Sequence, residues 1–219
     1  PDRPGAPGPD AASLPSVTSG ARPGPDVLYS APPVAPQLEN RHPAFVAEPL
    51  LVSGTEAYVD GEYLYQDHLY DDYGADTDGS GGSALSERAG DLDYPADRGR
   101  YGGNAADLVE LRISTRQPGE VVYRLTLNTM LVADAAIAAI GFDTDGDPGT
   151  GASQLPGDPG VDVAGIDEVI TTWGTGARHE VVDGDAFAST PVPVDVDLVA
   201  NQVTVTVPRS VSNPSGTWR

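Results

Sequence analysis

Asp143, Asp145 and Asp147 alternate in "DTDGDPGTG" (143–151). Carboxylates at that spacing suit a hard cation, because calcium takes about six to eight oxygen ligands and close carboxylates repel without one. The stretch is not an EF-hand loop. Gly146 comes early, position six is Pro148 and position twelve is Gln154 instead of Glu. A second acidic run, "LYQDHLYDDYGADTDGSGG" (64–82), offers Asp71 and Asp72, with Asp107 opening the next clear segment as a third oxygen donor. Neighbours on a strand face opposite ways, so Asp71 and Asp72 share one site only if the chain bends. The plain alternative for both runs is a solvated turn, where Asp and Gly are the ordinary residues.

Tyrosine is concentrated: Tyr58, Tyr63, Tyr65, Tyr70, Tyr73, Tyr94 and Tyr101 are seven of the nine. Aromatic rings stack on sugars and anchor interfaces, which makes Tyr63, Tyr65, Tyr73 and Trp173 candidate ligand contacts. Tyr is equally an ordinary strand residue. Catalytic signals are sparse. The chain has no G-x-S-x-G, H-E-x-x-H or Walker A motif, and His42, His68 and His179 are far apart.

Composition narrows the partners. There are 33 acidic and 12 basic residues, a net charge of −21, and every basic residue is Arg. Such a chain is repelled by nucleic acid and by anionic membrane surfaces, and it favours cations. Salt adaptation would give the same balance. With no Cys, disulfides, zinc-thiolate sites and cysteine nucleophiles are excluded; with no Lys, so are lysine Schiff bases. No apolar run approaches the ~20 residues of a membrane span. Beginning at Pro1 without Met, the chain reads as processed or as a piece cut from a longer protein.

The elements that must position these residues are strands. Residues 1–26 are a Pro/Gly-rich linker, and 27–49 have isolated apolar anchors between prolines, as in an extended arm. From residue 50 to 219 the pattern is all-β. "EPLLVSG" and "GEYLYQDHLYDD" read as short strands around a turn at Asp60-Gly61. In "DLVELRIST" (107–115), Val109, Leu111 and Ile113 point one way, and Glu110 and Arg112 the other. In "EVVYRLTLNTM" (120–130), Val121, Tyr123, Leu125 and Leu127 share a face. "AAIAAIGFDTD" predicts a buried strand. "IDEVITTWG" and "ARHEVVDG" predict a hairpin at 174–176, and "VPVDVDLVANQVTVTVPRS" two strands turning at Ala200-Asn201. Several short strands and no convincing helix predict a two-sheet antiparallel β-sandwich.

"GEYLYQDHLYDDYGAD", "LDYP", "NAADLVELRI", "RLTLNT", "IGFDTD" and "VTVTVPRS…NPSGTWR" follow one another in an order that resembles the glucodextranase C-terminal-like group, among the DOMON-like and family-9 carbohydrate-binding sandwiches. The resemblance covers residues 45 to 219. It implies a calcium-binding, non-catalytic accessory module of a secreted or surface-attached enzyme, which adds weight to Asp72, Asp107 and the Asp143 loop. The chain is also similar to the N-terminal domain of large secreted actinobacterial proteins in which an α/β-hydrolase-type esterase domain follows. "SNPSGTWR" stops where that family continues into another strand, so the last domain reads as truncated. The expected partners are a catalytic hydrolase domain, or a polymer or glycan. Two other readings stay open: part of a serine hydrolase whose active site lies outside this chain, or an interaction protein that uses its Tyr-rich edge.

Overall fold

The computed structural model describes residues 42–69, 107–134, 136–157, 162–183 and 186–213. The linker at 1–26, most of the arm, Asp71, Asp72 and Tyr73 lie outside them. The described residues form twelve strands in antiparallel pairs, without a helix. A six-stranded sheet has the order β1 (Thr55–Val59), β2 (Glu62–Gln66), β3 (Leu108–Ser114), β4 (Glu120–Leu127), β12 (Gln202–Pro208) and β11 (Val194–Asp197). A four-stranded sheet runs β10 (Ala186–Pro191), β9 (Gly176–Asp183), β8 (Glu168–Trp173) and β5 (Ile137–Phe142). β6 (Ala152–Gln154) and β7 (Asp162–Ile166) form a small ribbon of their own. No helix among the described residues is long and apolar enough to cross a membrane.

Turn chemistry sets several registers. Asp60 and Gly61 have φ of 54° and 81°. Two positive φ values in a two-residue loop give the turn whose twist matches its flanking strands, and Val59 pairs with Glu62 across it. The first strand of this hairpin is "TEAYV", not the predicted "EPLLVSG", which forms bends and turns ahead of it. The second strand ends at Gln66, well short of Asp71. The hairpin of β8 and β9 turns at Gly174-Thr175, one residue tighter than the predicted 174–176 because Gly176 already pairs with Trp173, and Asn201 takes a φ of 55° where β12 begins.

One hydrophobic cluster draws on both large sheets. Ile113, Tyr123, Leu125, Val203 and Val205 from the first meet Phe142, Ile170 and Ala177 from the second. The predicted apolar face of β4 is therefore a core face. Val109 departs from the predicted alternation: a bulge between Leu108 and Glu110 makes it the extra residue, while Leu108 packs on the core. β5 is a strand but not a buried one. It lies at the sheet edge, and Ile137 is 78% exposed.

The opposite face of the six-stranded sheet is also buried, and it is polar. Glu62, Glu110, Arg112 and Arg124 are each at most 1% exposed. Arg112 pairs with Glu62 at 3.2 Å and with Glu110 at 2.8 Å, and Arg124 meets Glu110 at 2.9 Å. Two acids and two bases balance, which is what lets the charges stay buried. Burial lowers the Arg124 pKa, and its hydrogen bond to Glu110 opposes the shift. Residues 44–47 lie over this face. Val46 and Ala47 donate their N–H groups to Glu62 Oε1, Arg112 Nη1 donates to the Ala47 carbonyl, and Ser114 Oγ donates to that of Ala44. Phe45 lies over Arg124, 4.6 Å from guanidinium carbon to ring centroid.

Candidate metal centre

Asp143 follows the last residue of β5, and Asp167 precedes the first of β8. These strands pair with Phe142 opposite Glu168, so the register sets Asp143 beside Asp167. The Asp167 N–H donates to the Phe142 carbonyl at 2.8 Å and fixes the junction. Asp145, two residues into the loop, completes a group whose ligand oxygens all lie within 4.8 Å of one another. Asp143 is 1% exposed, Asp167 is half-buried and Asp145 is exposed.

Backbone and hydroxyl donors hold the carboxylates in place. Gly146 N–H donates to Asp143 Oδ1 at 2.6 Å. Thr144 gives both its N–H and its hydroxyl to Asp167 Oδ2, each at 2.8 Å, which leaves Oδ1 of Asp167 for another donor or an ion. The N–H of Asp147 and the hydroxyl of Thr150 bind Asp145 and, in that order, lower its pKa. These donors favour the anionic form of Asp145. Among the described residues, no Arg or His pairs with Asp145 or Asp167. Gly165 packs against the loop with a φ of 72°. A Cβ there would come within 2.8 Å of Pro148 Cα, 2.9 Å of the Asp147 carbonyl oxygen and 3.2 Å of Asp143 Oδ2. Hard carboxylate oxygens held this close could hold a metal ion. Asp143, Asp145 and Asp167 would hold it, and backbone oxygens or waters would fill the shell.

Of the sequence candidates, Asp143 and Asp145 come together. Asp147 is not in the group: its Oδ1 accepts from Gly149 N–H, closing its own turn. Asp107 has other neighbours, its buried carboxylate accepting from Asn128 Nδ2 at 2.8 Å. Sequence reasoning missed Asp167, which it took as part of a strand. The one available signal was pairing: once β5 and β8 are neighbours, the residue opposite Asp143 is Asp167.

The aromatic candidates are placed as follows. Tyr63 and Tyr65 share a half-buried face, and Tyr63 packs on the core. Their hydroxyls donate to Glu56 at 2.6 Å and Asp67 at 3.1 Å. Burial, then the bond to Glu56, pushes the Tyr63 pKa upward, so it remains a neutral donor. Trp173 is 42% exposed at the end of β8, with Arg178 over its ring at 5.4 Å.

One further cluster has hydrolase-like residue types. His179 Nε2 lies 2.8 Å from Glu168 Oε2, and Ser212 Oγ donates to that same oxygen at 2.6 Å. A serine nucleophile must hand its proton to the histidine. Here the carboxylate stands between them, and Ser212 and His179 are both buried. The arrangement ties the chain after β12 to β8 and β9.

No protein-family model, curated protein or solved structure matches this chain.

Proposed function

We propose that the chain is a calcium-stabilised, non-catalytic β-sandwich module of a secreted hydrolase. The observation that carries the cation part is the convergence of Asp143, Asp145 and Asp167. Joining two loop residues to one on the far side of a strand pair, a cation there would cross-link β5, β8 and the 143–151 loop. The core shared by the two large sheets supports the sandwich reading. The accessory role follows from the resemblance noted above. A rigid module of this kind binds a polymer or glycan, or packs on the catalytic domain, and raises the effective concentration of enzyme at substrate. Serine chemistry would belong to a domain outside these residues.

The deciding experiment is thermal unfolding in calcium against EDTA. Ligand at 100 times its Kd adds about 2.7 kcal/mol, so calcium should raise the midpoint by several degrees. An unchanged midpoint would remove calcium from the proposal. The binding role is tested separately by Trp and Tyr fluorescence across a glycan panel, with a Tyr63/Tyr65 double variant as control.

A further inference from the structure

On the polar face of the six-stranded sheet, Gln66 lies opposite Glu110, and Glu110 opposite Thr126. Direct cross-strand partners project from the same side of a sheet, so the three form one row across β2, β3 and β4. All are buried. Each carries an oxygen with no hydrogen-bond partner among the described residues: Gln66 Oε1, Glu110 Oε2 and Thr126 Oγ1. Buried polar atoms nearly always have partners, and three orphans in adjacent positions point to one shared guest.

The chemistry of the row selects that guest. Gln66 spends its Nε2 on the Val109 carbonyl at 2.8 Å, so its oxygen is left as an acceptor. Glu110 Oε1 already takes Arg112 Nε and Arg124 Nη2, and Oε2 can only accept. Thr126 can give one proton and take another. An anion would meet two acceptors, an apolar guest would leave all three oxygens bare, and a cation would lie beside two buried guanidinium groups, where Arg112 Nη2 is itself a donor without a partner among the described residues. We propose that Gln66, Glu110 and Thr126 form a buried site for a hydroxylic guest, which donates to the two acceptors and exchanges a hydrogen bond with Thr126. An internal water, which typically makes about three such bonds, has this chemistry; so does a polyol that brings two hydroxyls, since each hydroxyl has a single proton to donate. The site is independent of the aspartate cluster and of the calcium reading.

Water–amide cross-relaxation NMR on the full 219-residue chain tests it. The amides of Gln66, Glu110 and Thr126 should show a cross-peak at the water frequency with the sign of a long-lived internal molecule. Glycerol is then added: persistence of the peak assigns the guest as water, and cross-peaks from glycerol carbon-bound protons assign a polyol. Wild-type protein showing neither overturns the proposal, whether or not any variant folds. Thr126→Val should lose the peak and melt at lower temperature, and Thr126→Ser should keep the peak. A Thr126→Val protein that melts higher than wild type would also overturn it, because an isosteric methyl stabilises only where the hydroxyl has no partner to lose.

Discussion

Arg112 and Glu62 form an ion pair, at 3.2 Å, in which neither side chain is exposed to solvent. Glu62 Oε2 faces the guanidinium while its Oε1 receives two backbone N–H groups from Val46 and Ala47. The pair therefore joins an overlying segment to the sheet as well as β2 to β3. Removing one member of such a pair leaves an uncompensated buried charge. Arg112→Ala should cost about 3–5 kcal/mol, read from urea unfolding midpoints at unchanged m-value. A loss below about 1 kcal/mol, the range of a surface pair, would show that water reaches this face.

Phe45 fastens the same segment through apolar burial and its contact with Arg124. Phe45→Ala should destabilise by about 3 kcal/mol and speed proteolytic cleavage near residues 42–50. Phe45→Leu should recover most of the burial but not the ring–guanidinium contact. Equal melting temperatures for the leucine variant and wild type would leave packing as the whole effect.

For the aspartate centre, Asp167→Asn is the sharpest substitution, since Asp167 joins the group only through strand pairing. Calcium should no longer raise its melting temperature, while the midpoint in EDTA stays near that of wild type or rises as repulsion is relieved. Asp147→Asn should keep the calcium response. The reverse pattern would return the site to the loop alone.

Gly165 and Gly141 should differ sharply in their tolerance of alanine. At Gly165 the new Cβ meets backbone atoms below 3.0 Å and the φ is positive. Gly165→Ala should cost more than about 1 kcal/mol and weaken calcium binding. At Gly141 the nearest atom is Ile166 Cδ1 at 3.1 Å, the movable end of a side chain. Gly141→Ala should be mild by the same melting assay.

Glu168 gives the fold a pH dependence. Its hydrogen bond to His179, with help from Ser212 and against the effect of burial, holds its pKa below the ordinary value of about 4.5. A carboxylate depressed on folding contributes stability that is complete above the unfolded pKa and is lost as pH falls through the folded one. Glu168→Gln should therefore flatten the acid limb of a melting-temperature profile below about pH 4.5, with a smaller effect on its slope at neutral pH. An unaltered acid limb would show that other carboxylates govern acid unfolding.

Sequence alone determined the strands with strong local signals. The Asp60-Gly61 turn, the face shared by Tyr123, Leu125 and Leu127, and the turn at Asn201 were legible because backbone conformation and period-two alternation act over a few residues. It also placed Asp143 and Asp145 in an acidic loop. Only the tertiary structure brought in Asp167, because β5 and β8 become neighbours through sheet order and not through adjacency in the chain. Glu110 and Arg112 could be assigned to one face of β3 from alternation. Their burial depends on residues 44–47 covering that face and on charges from β2 and β4 that balance theirs. Local patterning sets which way a side chain points, whereas long-range packing decides whether it meets water, a partner or an ion.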